Sequence, residues 1–142
     1  RRLAIEKAKA QDANDQLVIA ADTIVVLDQS ILGKPSDKAQ GLAMLMQLSG
    51  RSHQVMTGVA LAGPGGLITQ TVLSSVRFKA FDRAFAERYW ASGEPKDKAG
   101  GYGIQGLGAV FIEHLEGSYS NVMGLPLFET AQMLETMGVQ II

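Results

Sequence analysis

Residues 53–81, HQVMTGVALAGPGGLITQTVLSSVRFKAF, contain the pattern on which the fold prediction depends. The segments 53–62 and 67–81 are long runs rich in valine, leucine, isoleucine and threonine, which is typical of β-strands. Gly63-Pro64-Gly65-Gly66 lies between them, and a short link rich in glycine and proline between two such runs predicts a β-hairpin. The stretch therefore predicts two adjacent antiparallel strands.

Helical segments are predicted on both sides of this hairpin. Alanine, lysine, glutamate and leucine dominate residues 1–13, and all four are strong helix formers. Ser36 is a candidate N-cap for a helix over about 37–48. Asp82 is a candidate cap for a short helix, and Pro126 suits the first turn of a final one.

Further strands are predicted from short apolar runs. Such runs occur at 17–20 and 24–27, and AVFIEHL at 109–115 follows a similar pattern. Helices and strands therefore mix, and the hairpin makes the sheet partly antiparallel. We predict one α/β domain over residues 1–142, with an elongated mixed β-sheet flanked by helices.

Composition excludes several classes of function. The chain has 142 residues and no cysteine, which excludes disulfides and thiolate chemistry. Lysine and arginine number 13 against 14 aspartate and glutamate residues, so the net charge of −1 attracts neither nucleic acid nor a membrane surface. No apolar run approaches the about 18 residues of a membrane span. We expect a cytoplasmic protein without nucleic-acid or membrane partners.

The stretch GGYGIQGLG, residues 100–108, places five glycines around Gln105. Two interpretations are open: a flexible loop in which Gln105 is incidental, or a loop whose backbone approaches a ligand that Gln105 recognises. Residues 101–106 also match G-x-G-x-x-G, the dinucleotide-binding fingerprint. That motif requires a preceding strand and a following helix, whereas here polar residues precede it and a strand-like segment follows. A dinucleotide site is therefore not predicted.

Asp22 interrupts two apolar runs, and Thr23 follows it. A carboxylate in such a position is costly to bury unless it is paired, hydrogen-bonded or bound to a metal, so one interpretation is a functional role. The alternative is a turn aspartate that caps local backbone, and the pattern alone favours neither. Thr23 is equally open, since threonine is common in strands.

Lys34, in a Gly-Lys-Pro turn, and Lys98, just before the glycines, are candidate ligands of an anion. Each alone is typical of a solvated surface lysine. Together with the glycine-rich loop they indicate an anionic ligand held by backbone N–H groups. His53 and His114 do not have the spacing of a metal-binding pair, so structural roles are predicted for both.

Five blocks of the sequence together resemble the Maf family, which was once linked to septum formation. They are ADTIV (21–25), ILGKP (31–35), LSGRSHQVMTGVAL (48–61), DKAGGYGIQG (97–106) and GSYSNVMGLP (117–126). The resemblance covers essentially the whole chain. It implies an α/β fold similar to that of the inosine triphosphate pyrophosphatases, nucleoside triphosphate pyrophosphatase activity, a divalent metal cation (Mg²⁺ or Mn²⁺) as cofactor, and a homodimer.

The resemblance also assigns roles to individual residues. A-D-T and Y-G-I-Q-G are similar to the branch that hydrolyses dTTP and UTP, whereas a sister branch acting on 7-methyl-GTP carries S-D-Q and a K-S-E-G-type block. Asp22 matches the family's proposed proton acceptor, and the sequence leaves open whether it acts as a base, a metal ligand or both. Thr23 and Gln105 match specificity positions, and Lys34 and Lys98 match lysines that we assign to the phosphates.

One part of the family pattern does not occur in these residues. Family members usually begin with S-x-S-P-R-R and an acidic segment before the helix that opens this chain. We therefore expect a Maf-like domain that is shortened at its N-terminus and has low activity as written. The same departure leaves a rival open, a non-catalytic nucleotide-binding or partner-binding protein that influences cell division.

Overall fold

The structure is a computed structural model that describes residues 17–142; the helix predicted over residues 1–13 lies outside them. The strands described are β1 (Val18–Leu27), β2 (Ser30–Leu32), β3 (Ser52–Gly63), β4 (Gly66–Phe78) and β5 (Ile112–Glu116). The α-helices are α1 (Lys38–Leu48), α2 (Arg83–Ala91), α3 (Tyr119–Val122) and α4 (Leu127–Thr136). Short 3₁₀ turns cover Glu94–Asp97, Ala99–Gly101 and Leu107–Val110.

The five described strands form a sheet in the order β2-β1-β3-β4-β5. β1 pairs antiparallel with β2, with Val25 opposite Leu32. β4 pairs antiparallel with β5, with Val76 opposite Leu115. The predicted hairpin is present as β3 and β4, which neighbour each other in the sheet and are joined by two residues.

The α/β prediction is confirmed, and the described sheet is antiparallel where a mixed sheet was expected. Two-residue turns connect β1 to β2 and β3 to β4, and such short links join only antiparallel neighbours. α1 then carries the chain to the other side of β1. There Thr23 of β1 lies beside Thr57 of β3, and Leu17 beside Gly63, so these two strands also run in opposite directions.

One compact unit of the chain contains the turn of the hairpin with the adjoining parts of both strands, and the C-terminal helix. Its described parts are 17–23, Met56–Leu73 and Ser118–Ile142. Side chains alternate between the two faces of a strand; on one face of β3, Val59 and Leu61 pack with Met133 of α4. On the other face Ala60 and Ala62 are also buried. Burial on both faces explains why this run is continuously apolar.

The second compact unit is built around aromatic rings. It comprises Ile24–Val55 and Ser74–Gly117. Phe78 and Phe111 are almost fully buried, and their ring centroids lie 4.8 Å apart in an edge-to-face arrangement, a geometry that aromatic pairs prefer. We call these two residues and the rings around them the aromatic cluster, which also contains His53, Phe81, Phe85, Tyr89 and Tyr102.

The helix boundaries follow the predicted signals with two exceptions, one of which is Pro126: it lies at the N-cap position just before α4 and not in its first turn. Asp37, not Ser36, caps α1, because its side chain accepts a hydrogen bond of 2.8 Å from the N–H three residues on. Asp82 caps α2 in the same way, as predicted. Gly138, with φ 89°, lies just past the end of α4. None of the helices within 17–142 is long and apolar enough to cross a membrane.

Outside the hairpin, all three predicted strands have different boundaries in the structure. The runs 17–20 and 24–27 belong to a single strand, β1, which passes through the polar residues between them without interruption. The segment 109–115 begins with part of the 3₁₀ turn Leu107–Val110, and the strand β5 starts only at Ile112.

Candidate active site

Asp22 and Thr23 lie in the middle of β1, in extended chain. The turn that ends β1 consists of Asp28 and Gln29, whose φ angles are 49° and 69°. The interpretation of Asp22 as a turn aspartate is therefore excluded. Asp22 is a half-buried carboxylate within a regular strand.

The side chains of Asp22 and Thr23 point to opposite faces of β1, since successive strand residues alternate. Thr23 shares its face with Ala21, which packs against the core formed by Val59, Leu61 and Met133. Thr23 is consequently directed into the interior of its unit. Asp22 is directed away from that core.

Thr23 is part of a buried polar cluster with Thr57, a residue that sequence reasoning missed. The two hydroxyl oxygens lie 2.8 Å apart, and Thr57 is fully buried. Thr57 also donates to the carbonyl oxygen of Asn121 over 3.4 Å, and the Asn121 side chain donates to the carbonyl oxygen of Val72 over 3.2 Å. The cluster ties the middle of β1 to the block 117–126. The signal in the sequence is a lone hydroxyl residue within an apolar run.

The glycine-rich loop, residues 100–108, contains 3₁₀ turns and irregular chain. Gly100 and Gly101 have φ angles of 72° and 76°, which glycine adopts without steric strain. The 3₁₀ turn Glu94–Asp97 precedes the loop and β5 follows it, so the context of a dinucleotide fingerprint is absent in this part of the described chain. Gln105 is exposed within the loop.

Two further residues that sequence reasoning missed, Glu94 and Tyr89, contact the backbone of this loop. The Glu94 carboxylate accepts hydrogen bonds from the N–H groups of Leu107 (2.8 Å) and Gly108 (3.0 Å). The Tyr89 hydroxyl donates to the same carboxylate and accepts from the N–H of Gly103 over 3.0 Å. Both residues lie in segments whose sequence carries no motif, so no sequence signal pointed to them.

Burial and hydrogen bonding shift the pKa values of Glu94 and Tyr89. Partial burial raises the pKa of Glu94, but the three hydrogen bonds that its carboxylate accepts, together with the positive charge of Lys98, hold the pKa below its usual value. The pKa of Tyr89 is raised, first by burial and then by the neighbouring carboxylate. At neutral pH Glu94 is therefore an anion and Tyr89 a neutral hydrogen-bond donor.

Lys34 and Lys98 lie in segments that the structure connects. The N–H of Gly100 donates to the carbonyl oxygen of Gly33 over 3.0 Å, which joins the turn carrying Lys34 to the glycine-rich loop. Lys34 is exposed. Lys98 is half-buried, and its Nζ lies 3.4 Å from the Asp97 carboxylate. The two lysines and Gln105 thus belong to one compact unit, whereas Asp22 and Thr23 belong to the other.

Neither histidine has the surroundings of a metal ligand. His53 is buried in the aromatic cluster, where its Nε2 lies 2.6 Å from the Tyr102 hydroxyl, and His114 is exposed on β5. Among residues 17–142 no three histidine, aspartate or glutamate side chains lie close enough together to hold a metal ion. The described residues therefore form no cage of protein ligands.

Comparisons with a family model and with individual proteins give the same family. The family described as Maf-like protein matches residues 1–137. A dTTP/UTP pyrophosphatase from Alkalilimnicola ehrlichii is 56% identical over 97% of this chain and 72% of that protein. Proteins of the same name from Hahella chejuensis and Saccharophagus degradans are 50% and 47% identical over 99% of this chain, and over 72% and 70% of their own lengths.

Proposed function

Because the chain belongs to the Maf family, we propose that it is a nucleoside triphosphate pyrophosphatase that hydrolyses dTTP and UTP to the monophosphate and pyrophosphate. The observation that carries this proposal is the identity of 47–56% to three dTTP/UTP pyrophosphatases over nearly the whole chain. The residues that distinguish this branch by resemblance, Thr23 and Gln105, are both present.

Asp22 is the proposed general base. In this role it accepts a proton from the water that attacks the α-phosphorus, and pyrophosphate leaves as the bond to the β-phosphate oxygen breaks. Its position supports the assignment: a half-buried carboxylate in mid-strand is held by regular backbone hydrogen bonds, whereas a turn residue is less fixed. A positioned general base contributes about 100-fold or more to a rate.

Lys34 and Lys98 are proposed to neutralise the phosphates. A nucleoside triphosphate carries roughly four negative charges, and catalysis of its hydrolysis rests mainly on positioning and charge stabilisation. The hydrogen bond between Gly100 and Gly33 supports a joint role, since it links the backbone near both lysines. The exposed ion pair between Lys98 and Asp97 is weak in water and can be exchanged for a phosphate.

Thr23 and Gln105 are proposed to set base specificity. The Gln105 amide offers a donor and an acceptor, which complement the carbonyl oxygen and ring N–H of uracil and thymine. The Thr23 side chain points into the interior, where it pairs with Thr57, so its proposed effect on specificity acts through the packing of β1 and not through contact with the base.

A divalent metal cation, Mg²⁺ or Mn²⁺, remains part of the proposal. Since residues 17–142 contain no group of three acidic or histidine ligands, a metal held entirely by these side chains does not fit. Mg²⁺ bound mainly by substrate phosphates and water needs only one or two carboxylates, and Asp22 is the proposed one. Such an ion supplies charge neutralisation at the phosphates. A homodimer is proposed on the family resemblance alone, and a cytoplasmic location on the composition of the sequence.

The test is pyrophosphate release from dTTP, UTP, dCTP and 7-methyl-GTP by the wild type and by Asp22→Asn. We expect preference for dTTP and UTP, and a loss of kcat of at least about 100-fold in Asp22→Asn. Asp28→Asn is the matched control, because Asp28 lies in the turn that ends the same strand and forms an exposed ion pair with Arg51. Normal turnover in a folded Asp22→Asn protein refutes its role. Binding of dTTP without turnover in the wild type favours the non-catalytic rival.

A further inference from the structure

Glu94 lies eleven residues before Gln105 in the sequence, yet its side chain is bonded to the backbone just beyond Gln105. One carboxylate oxygen accepts from the N–H of Leu107 and the other from the N–H of Gly108, over 2.8 and 3.0 Å. Hydrogen bonds to an ionised carboxylate are roughly twice as strong as neutral ones. The chain that follows Gln105 is therefore anchored by a charged group.

Tyr89 anchors the chain on the other side of Gln105. Its hydroxyl donates to the Glu94 carboxylate and accepts from the N–H of Gly103. Tyr89 itself is 6% exposed and packs edge-on against Phe111, with ring centroids 4.9 Å apart. The buried aromatic cluster thus holds Tyr89, Tyr89 holds Glu94, and together they fix the backbone at 103 and at 107–108.

The glycines of the loop match this arrangement. A Cβ atom added at Gly106 would overlap the Glu94 carboxylate, and one added at Gly108 would overlap the carbonyl oxygen of Gly103. The carboxylate therefore occupies the space that a side chain at position 106 would fill. Glu94 is packed into the loop as well as bonded to it.

We propose that Glu94, supported by Tyr89, is a positioning residue that holds Gln105 in the conformation required to recognise the base. The inference rests on the proposed dTTP/UTP pyrophosphatase function and adds a determinant of its specificity. Glu94 acts through the loop and does not itself touch the substrate. Its loss should consequently weaken substrate binding and base selectivity more than the chemical step.

Glu94→Gln is the main variant because it keeps the size of the side chain. Its amide has one acceptor where two N–H groups need one each, so its NH₂ group faces a second donor. We expect kcat/KM for dTTP to fall by about 10-fold or more, mainly through KM, and the preference for dTTP over dCTP to fall by a similar factor. Glu87→Gln is the matched control, because Glu87 lies in α2, is exposed and forms a surface ion pair with Arg83. It should stay within about 2-fold of the wild type.

A double-mutant cycle tests whether Glu94 acts through Gln105. If it does, Glu94→Gln combined with Gln105→Ala is no worse than Gln105→Ala alone, because the two changes remove the same interaction. If the losses of kcat/KM in the two single variants add fully in the double variant, the proposal is overturned. Tyr89→Phe, which removes the acceptor for the Gly103 N–H but keeps the ring, is a second variant and should show the same change in selectivity to a smaller degree.

Amide hydrogen exchange at Leu107 and Gly108 separates this inference from the proposed function. Exchange at both amides should accelerate by at least about 10-fold in Glu94→Gln and remain unchanged in Glu87→Gln. Equal protection in Glu94→Gln and wild type overturns the proposal whatever the turnover. Absence of pyrophosphate release by the wild type, with accelerated exchange in Glu94→Gln, rejects the proposed function and supports the assignment of Glu94 to the loop. Wild-type turnover with unchanged selectivity in Glu94→Gln rejects the assignment alone.

Discussion

Replacing His53 by glutamine should make the stability of the protein less sensitive to acid. His53 is 3% exposed, and the rings of Phe78 and Tyr102 lie edge-on to it with centroids 4.9 and 5.3 Å away. The neutral Tyr102 hydroxyl is the hydrogen-bond partner of its Nε2. Burial in these surroundings lowers the pKa of His53 from 6.5 to about 4, because the charged imidazolium is poorly solvated there.

The sign and the size of the effect follow from proton binding. Between pH 6.5 and about 4 the unfolded chain binds a proton at His53 and the folded protein does not, so the free energy of unfolding falls as the pH falls through this range. Above pH 6.5 the effect vanishes, and below pH 4 it is complete. At about 1.4 kcal/mol for each tenfold change in proton affinity, the full effect is about 3 kcal/mol. Most of it, about 2 kcal/mol, should develop between pH 7 and pH 4.5.

Urea unfolding at pH 7 and pH 4.5 measures this difference. The wild type should lose about 2 kcal/mol more stability between the two pH values than His53→Gln, whose amide keeps a polar atom near Tyr102 but does not titrate. His114→Gln is the control, because His114 is the other histidine of the chain and is exposed on β5. It should behave like the wild type. Equal losses in wild type and His53→Gln, or an NMR titration of His53 with a midpoint near 6.5, would refute the reasoning.

Two further changes test the packing around the site by urea unfolding. Thr57→Val should lower the free energy of unfolding by about 1–3 kcal/mol, because it removes the buried hydroxyl that bonds to Thr23. The control Thr71→Val, on the exposed side of β4, should lower it by less than about 0.5 kcal/mol. Equal losses in the two variants would contradict the buried cluster. Gly108→Ala should cost about 1–3 kcal/mol or more, because its Cβ meets a backbone carbonyl, and Gly65→Ala, where nothing lies within 4 Å of an added Cβ, should be nearly neutral. An unchanged free energy of unfolding in Gly108→Ala would show that the loop is not packed tightly against the Gly103 carbonyl.

The hairpin was predictable because its signal is local. Two apolar runs and a glycine-proline turn specify neighbouring antiparallel strands without reference to the rest of the chain. The turn between β1 and β2 was not found, since Asp28 and Gln29 adopt positive φ angles although neither is glycine. The polar pair Asp22-Thr23 instead predicts a break between two strands, although β1 runs through it without interruption.

The segment before β5 was misassigned for a related reason. Hydrophobicity predicts a strand from Ala109 onward, but Ala109 and Val110 are exposed and only Phe111 enters the aromatic cluster. Hydrogen bonds from Ala109 to Gly106 and from Phe111 to Gly108 form tight turns there. The rings that bury Phe111 come from other parts of the chain, so the local sequence does not predict that Phe111 ends a turn and not a strand.

The residues of the candidate site likewise fall into those that a local sequence pattern indicates and those that depend on distant partners. Asp22, Thr23, Lys34, Lys98 and Gln105 were singled out because they interrupt a local pattern or match a family block. Thr57, Glu94 and Tyr89 were not, because what they do depends on partners 13 to 64 residues away in sequence. A buried hydroxyl and a surface-like glutamate become informative only when the atoms they contact are known.

The structure adds a second explanation for the glycines of the loop to the one that the sequence suggested. Glycine was expected there so that the backbone could approach a nucleotide. In the structure, the aliphatic stem of Lys98 lies against Gly103, the Glu94 carboxylate against Gly106, and the Gly103 carbonyl against Gly108. The space left by the missing side chains is filled by the protein itself. The loop is consequently ordered on folding, and Gln105 need not lose as much freedom when a base binds. Selectivity for the base then depends on internal contacts of the loop as much as on the glutamine that it presents.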